Sequence, residues 1–270
     1  MPERKLVELT HPSDGVAEIA FADPQIANTV SWAGACALAC GLDEAHQAGA
    51  RIAVVSSSVA GHWLEHAWLG DLLATFAGEP TTGDPDGFGR VLRQLDRPDL
   101  LVIAAIDGST SGGGCEIGWA CDLRVAGADA TFAQPEVAMA ITTGIGGTSR
   151  LVRLIGPTVA AEMVLDGRPV SAERLYNLGA VNRLTAAGDA RRVALEWATE
   201  LATRPHQSIT AMKQLLRDSM NRSLDDALLE EQAAFRRLAA TPLARQRMQL
   251  AQSLYGRGEL PKELVEAAAG

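Results

Sequence analysis

Hydrophobic and polar positions change period several times along the chain, and each change predicts an element. Leu6–Leu9 and Val16–Phe21 are short apolar runs on either side of His11–Gly15, a segment with Pro, Ser, Asp and Gly. This pattern reads as two strands around a turn. Ser31–Ala48, rich in Ala and Leu, predicts a helix, and Arg51–Ser56 a buried strand. Gly61–Ala77 has mostly helical spacing, with His and Trp clustered at its start. Glu79–Gly89 concentrates Gly, Pro, Asp and Thr and reads as a mobile connection. Phe88–Leu95 predicts a helix, and Leu100–Ile106 is wholly apolar, as in a strand buried on both faces. Strands alternating with helices imply an α/β body.

From Val193 onward the pattern is helical, over Val193–Ala202, Ser208–Arg217, Leu224–Ala239 and Pro242–Leu254. Ser223 opens S-L-D-D, a cap followed by acid in the first turn. The expected organisation is a body over residues 1–200 and a helical region over 201–270, the latter either a lid on the same core or an oligomerisation element.

Composition narrows the partners. The chain has 270 residues, 47% of them hydrophobic, enough to bury a sizeable core. A formal net charge of -9 repels phosphate backbones, so nucleic acid is not an expected partner. Local amides or a few basic side chains can still bind a phosphorylated small ligand. Cys36, Cys40, Cys115 and Cys121 form no C-x-x-C pair, and no His cluster has zinc-ligand spacing, so no metal site is expected. Four cysteines in a chain this long do not suggest a disulfide scaffold; Cys36 and Cys40, on one face of the predicted helix, read as small buried thiols. Met1–Thr10 is charged and lacks the apolar run of a signal peptide. No stretch reaches the roughly 18–20 apolar residues of a membrane span. A cytoplasmic protein with no membrane partner is the expectation.

Chemistry concentrates in Ile103–Ile141. An apolar strand ends at Asp107–Gly108, three glycines follow at Gly112–Gly114, and a helix-like stretch runs from Cys115 to Ala120. Glycines let main-chain amides approach a ligand closely, and the following helix aims its free amides at the same place. Such a place suits a phosphate or the oxyanion of a thioester; it is equally the form of a tight strand-to-helix turn. Glu116 lies in an otherwise apolar run, and Glu136 follows the strand-like Thr131–Ala133 and Pro135. Buried carboxylates need a partner or a task. If these two converge with separated pKa values they can divide acid and base roles. Taken singly, each is also compatible with a solvated face or an ion pair.

These segments together resemble the crotonase (enoyl-CoA hydratase/isomerase) superfamily. Its strand ending N-G, its G-G-G-C-E, A-C-D and F-G-Q-P-E segments and its G-x-G-G-T turn have counterparts here. These are Asp107–Gly108, Gly112–Glu116, Ala120–Asp122, Phe132–Glu136 and Gly144–Thr148. The likeness continues through Arg150–Gly156 and Gly167–Asn182, and more loosely through Val16–Val30 and Ala211–Phe235, nearly the whole chain.

The resemblance implies a spiral of repeated β-β-α units with a helical C-terminal region that mediates trimerisation. The implied assembly is a homotrimer or homohexamer, and the implied substrate an acyl-CoA. Coenzyme A then enters as part of the substrate, with no separate cofactor; Lys213 is a candidate contact for its nucleotide end. The implied activity is addition of water across an α,β-unsaturated acyl-CoA. Enoyl-CoA isomerisation, thioester hydrolysis, C–C cleavage and a silent acyl-CoA-binding subunit are the alternatives.

By the same resemblance Glu116 and Glu136 are the catalytic pair, and the Ala67 and Gly113 amides form the oxyanion hole. Gly112, Gly144, His66 and Trp68 line the substrate site. The loop that supplies Ala67 departs from the family's usual F-x-A-G-A-D: His66 stands in the place of Gly, Trp68 in that of Asp, and Glu65 is unusual. His66 therefore has three readings: an added acid/base group, a shaper of the acyl pocket, or a side chain turned to solvent. A histidine at a glycine position also raises the question of backbone strain in the hole. The Thr142–Thr143–Gly144 turn lacks the proline common there.

Overall fold

The computed structural model describes residues 5–258. In chain order, β1 (Val7–Ser13) and β2 (Val16–Phe21) form a hairpin; α1 (Trp32–Gln47), β3 (Ile52–Ser57), α2 (Leu69–Ala77), α3 (Gly87–Leu95) and β4 (Leu101–Ile106) follow. Next come β5 (Ser109–Ser111), α4 (Gly112–Ala120), β6 (Leu123–Gly127), β7 (Thr131–Ala133) and a 3-10 turn at Pro135–Met139. Then come α5 (Leu151–Asp166), β8 (Val170–Ser171), α6 (Ala172–Asn177), β9 (Arg183–Thr185) and α7 (Ala190–Ala202). The chain continues with α8 (His206–Ser219), α9 (Leu224–Ala239) and α10 (Pro242–Tyr255). It divides into two compact units, Met1–Thr199 and Glu200–Gly270.

In the first unit a six-stranded sheet runs β1-β2-β3-β4-β6-β9, parallel from β2 onward, and a small sheet runs β5-β7-β8. Every residue of β2 is buried, as are nearly all of β3 and β4, which explains their unbroken apolar sequences. The chain twice repeats one path: a long-sheet strand, a short-sheet strand, then a helical element. The first pass is β4–β5–α4 and the second β6–β7 and the Pro135–Met139 turn. β5 pairs in parallel with β7, Ser111 opposite Ala133. The element following each short strand carries one of the two glutamates, so this pairing brings residues twenty apart in sequence to one end of one small sheet.

Buried polar groups lock this frame. Arg124 is buried, and its guanidinium donates to the carbonyls of Gly118 (3.1 Å), Cys121 (2.7 Å) and Ala180 (2.5 Å). It thereby satisfies carbonyls at the C-terminal end of α4 that the helix itself leaves unpaired. Asp107, at the end of β4, accepts from the amides of Gly188 (3.1 Å) and Ala190 (3.3 Å) and so caps α7.

The Glu79–Gly89 connection, expected to be mobile, is tied down. Buried Asp71 accepts from the Trp32 amide (2.7 Å), the Thr82 amide (2.8 Å) and the Thr82 hydroxyl (2.7 Å). One carboxylate thus joins α1, α2 and the connection. Asp71→Ala strands two amides and is expected to cost about 3 kcal/mol, read as a lower denaturant midpoint.

The structure departs from the expected helix over Gly61–Ala77, which begins only at Leu69. Residues 61–68 take main-chain partners elsewhere: Trp63 donates to the Ser109 carbonyl (2.8 Å), Glu65 to the Asn28 carbonyl (3.0 Å) and Trp68 to the Val30 carbonyl (2.8 Å). Those tertiary bonds replace the i to i-4 ladder that the local spacing suggests. Trp63 is fully buried, with its indole N–H on the Val55 carbonyl at 3.2 Å.

In the second unit α8 packs on α9 and α9 on α10. Ser223 caps α9 as expected, accepting from the Asp226 amide at 3.2 Å. Lys213 on α8 is buried rather than displayed at the surface. Among the described residues no helix is long and apolar enough to cross a membrane.

Candidate functional site

Within the first unit, α4 carries the glycine triplet and Glu116, and all of its residues are buried. Its start is pressed against residues 64–67. A Cβ on Gly114 would overlap the Leu64 carbonyl, and the Gly114 amide donates to the Glu65 carbonyl at 3.0 Å. A Cβ on Gly113 would lie 3.3 Å from the Ala67 nitrogen and 3.1 Å from Phe88. Gly112, at φ +46°, has room for no side chain between His66 and Glu136. The bareness of the triplet therefore has three separate contacts behind it.

The loop opposite is held from below by Glu65. Its carboxylate accepts from His62 Nδ1 (2.8 Å), from the Ser111 hydroxyl (2.6 Å) and from the Ser109 hydroxyl. Burial pushes the Glu65 pKa up, but the hydrogen bonds from His62, Ser109 and Ser111 outweigh it and hold the group below the usual carboxylate range. His62 is thus half-exposed and engaged with Glu65.

The His66 carbonyl accepts from the Val30 amide (3.0 Å), and the Trp68 amide donates to the Val30 carbonyl (2.8 Å). Because alternate groups of an extended segment point opposite ways, the Ala67 N–H faces away from Val30. It has no partner among the described residues and borders the Gly113 main chain. His66 is not among the residues with positive φ, so the replacement of Gly by His introduces no backbone strain.

The two glutamates differ in setting. Glu116 Oε1 accepts from the amides of Ile145 (2.8 Å) and Gly147 (2.7 Å); its Oε2 has no partner among the described residues. Glu136 is buried on the 3-10 turn after β7. Burial raises its pKa, and the nearby Glu116 carboxylate adds to the shift. Gln134, with its amide nitrogen toward Glu136, donates to both carboxyl oxygens (3.0 and 3.1 Å), while its oxygen accepts from Trp119 Nε1 (3.1 Å). Trp119 stacks on Phe132 at 5.3 Å. Gln134 was not among the expected site residues, although it stands inside the Phe132–Glu136 motif.

Glu116, Glu136, Ala67, Gly113, His66 and Gly144 all line one cavity of about 750 Å³. Gly112 borders it through His66 and Glu136. Trp68 does not line it: the indole is 37% exposed at the start of α2, against Gly70. The remaining wall includes Trp32, Leu72, Phe76, Phe88, Met139 and Ile141, none of which the motifs singled out. His66 donates from Nδ1 to the Ala67 carbonyl (2.8 Å), which leaves Nε2 for the cavity. The reading in which its side chain simply points into solvent does not fit this placement. Cys115 is fully enclosed, and burial pushes its thiol pKa far up, so it is no nucleophile. Among the described residues no group of His, Cys, Asp and Glu is arranged to hold a metal ion.

A family model described as enoyl-CoA hydratase/isomerase matches residues 11–254. The chain belongs to this family. One relative, the short-chain-enoyl-CoA hydratase of Clostridium acetobutylicum, is 36% identical over 54% of this chain; the match spans only 56% of that relative's length. A solved structure described as enoyl-CoA hydratase subunit I of Geobacillus kaustophilus superposes with a TM-score of 0.81 at 23% identity. It covers 94% of this chain and 96% of its own. A Thermobifida fusca protein solved in complex with CoA gives 0.76 at 25% identity, covering 87% and 93%. This member of the family accordingly has the crotonase fold.

Proposed function

We propose that this member of the family hydrates a trans-2-enoyl-CoA to the 3-hydroxyacyl-CoA. The observation that carries the reading is the convergence on one cavity of two unlike carboxyl groups with the unpartnered Ala67 amide and the start of α4. The Thermobifida protein's CoA complex and the Clostridium relative's name supply the thioester class.

The thioester oxygen lies between the Ala67 and Gly113 amides. A water donates to Glu116 Oε2, the oxygen left open by the two amides on Oε1. Its oxygen attacks the β-carbon while its proton passes to Glu116. The π electrons move onto the thioester as an enolate, whose charge the two amides hold. Glu136, which burial favours in its protonated form, gives its proton to the α-carbon as the enolate collapses. Proton return from Glu116 to Glu136 resets the site, and the net change is addition of one water. No metal or separate cofactor takes part in this scheme; CoA is carried by the substrate.

Assembly as a homotrimer or homohexamer is part of the proposal. Its support is the family likeness together with exposed apolar side chains of the second unit, among them Leu216, Leu229 and Phe235.

The test is incubation with crotonyl-CoA in water, with products separated by mass. A gain of one water gives 3-hydroxybutyryl-CoA and supports the reading. A mass-neutral shift of the double bond points to isomerisation, and free CoA to thioester hydrolysis; either result as the main product refutes hydration.

A further inference from the structure

The apolar residues of α2 recur at Leu69, Leu72, Leu73 and Phe76, the spacing of a single helix face. Such a face ordinarily packs into the core. Here only Leu72 also packs against the core; all four line the cavity, and two remain open to solvent, Leu73 at 70% and Phe76 at 86% exposure. Met139 and Ile141, on the segment just beyond Glu136, add further apolar surface to the same cavity. Among the described residues the ionisable side chains along the wall are Asp86, Glu116, Glu136 and His66, with no Lys or Arg.

Resting on the proposed hydration, we infer that this enzyme selects an uncharged, extended acyl chain of about eight carbons or more, which lies along the apolar face of α2. Several features converge on this occupant. The helix begins two residues beyond Ala67, at Leu69, so a thioester held at that amide starts its chain near the stripe. The stripe from Leu69 to Phe76 runs about 10 Å along the helix axis, longer than a four-carbon acyl chain, and a chain too short to follow it leaves the exposed Leu73 and Phe76 uncovered. A chain ending in a carboxylate meets three acidic side chains along the wall against the single imidazole of His66 and, among the described residues, no Lys or Arg, so the desolvation of its charge is poorly compensated.

The experiment measures kcat/KM over trans-2-enoyl-CoA substrates of four, six, eight and ten carbons, with a six-carbon enoyl-CoA bearing a terminal carboxylate alongside. Burial of each added methylene against the stripe predicts a rise of about fourfold per carbon, hence roughly 250-fold between four and eight carbons. The carboxylated substrate is expected to fall at least about tenfold below its uncharged six-carbon counterpart. Phe76→Ser and Leu73→Ser, at exposed positions whose change empties no core, are expected to reduce the eight-to-four-carbon ratio about tenfold or more.

Turnover of crotonyl-CoA with no gain for longer chains, or a preference for the carboxylated chain, overturns the inference and leaves hydration intact. No hydration of any chain refutes the underlying reading instead. A ratio retained in both serine variants while sedimentation shows a smaller assembly makes the stripe a subunit contact, and that too overturns the inference.

Discussion

Glu136→Gln is expected to lower kcat/KM for a trans-2-enoyl-CoA by about 10²–10⁴-fold, the range for losing a positioned acid or base. The amide keeps the shape and can still accept from Gln134, but it has no acidic proton for the α-carbon. Glu116→Gln is expected to fall in the same range. Its two amide donors keep one oxygen in place, yet the group can no longer take a proton from water. Hydration that survives both changes at near wild-type rate would refute the mechanism.

Stability should move the other way for Glu136. Its pKa is raised by burial, with Glu116 adding to the shift. A carboxyl group with a raised folded value contributes stability that is fully present below the unfolded value of about 4.3 and is lost as pH rises through the folded one. Above that value the wild-type protein holds a desolvated charge that glutamine does not. Glu136→Gln is therefore expected to have the higher Tm at pH 8, with the difference shrinking toward pH 4. Loss of activity with a gain of stability is the signature of a group kept for chemistry. A Tm lowered equally at every pH would make Glu136 a structural residue.

Gly114→Ala is expected to destabilise the protein by about 3 kcal/mol or more. The added methyl overlaps the Leu64 carbonyl and comes within 2.7 Å of the Glu65 carbonyl, backbone atoms that cannot rotate aside as a side chain does. Relief requires residues 64–67 and α4 to separate, which also moves the Ala67 amide from Gly113. The surviving folded fraction should then lose about 10²–10³-fold in kcat, as when one oxyanion donor is removed. Gly144→Ala is the control: a Cβ there meets nothing within 4 Å, so its effect on the denaturant midpoint should correspond to less than about 0.5 kcal/mol. Equal destabilisation by both would separate the triplet's bareness from the fit seen at Gly114.

The α/β body was legible because buried parallel strands such as Ile52–Ser57 and Leu101–Ile106 are apolar throughout, a pattern that needs no knowledge of neighbours. The same holds for the cap at Ser223, where the signal lies within one turn. The glycine triplet and the glutamates could be singled out because each is locally odd: bare backbone at a helix start, and charge in an apolar run. Residues 61–68 have helical spacing yet form no helix, because Asn28, Val30 and Ser109, distant in sequence, claim their main-chain groups. Local periodicity carries no trace of such partners.

Residue types and spacing therefore specify the strands, the bare backbone at Gly112–Gly114 and the two carboxyl groups. Folding settles how unlike those carboxyl groups are. β5–β7 pairing brings them together, two amides take one oxygen of Glu116, and burial, with the Glu116 charge adding to it, raises the pKa of Glu136. Folding also turns the α2 stripe toward the cavity, with only Leu72 reaching the core as well. The physical reason is common to both: desolvation, hydrogen-bond supply and the facing of an apolar surface depend on groups remote along the chain, whereas helical and strand periods depend on near neighbours.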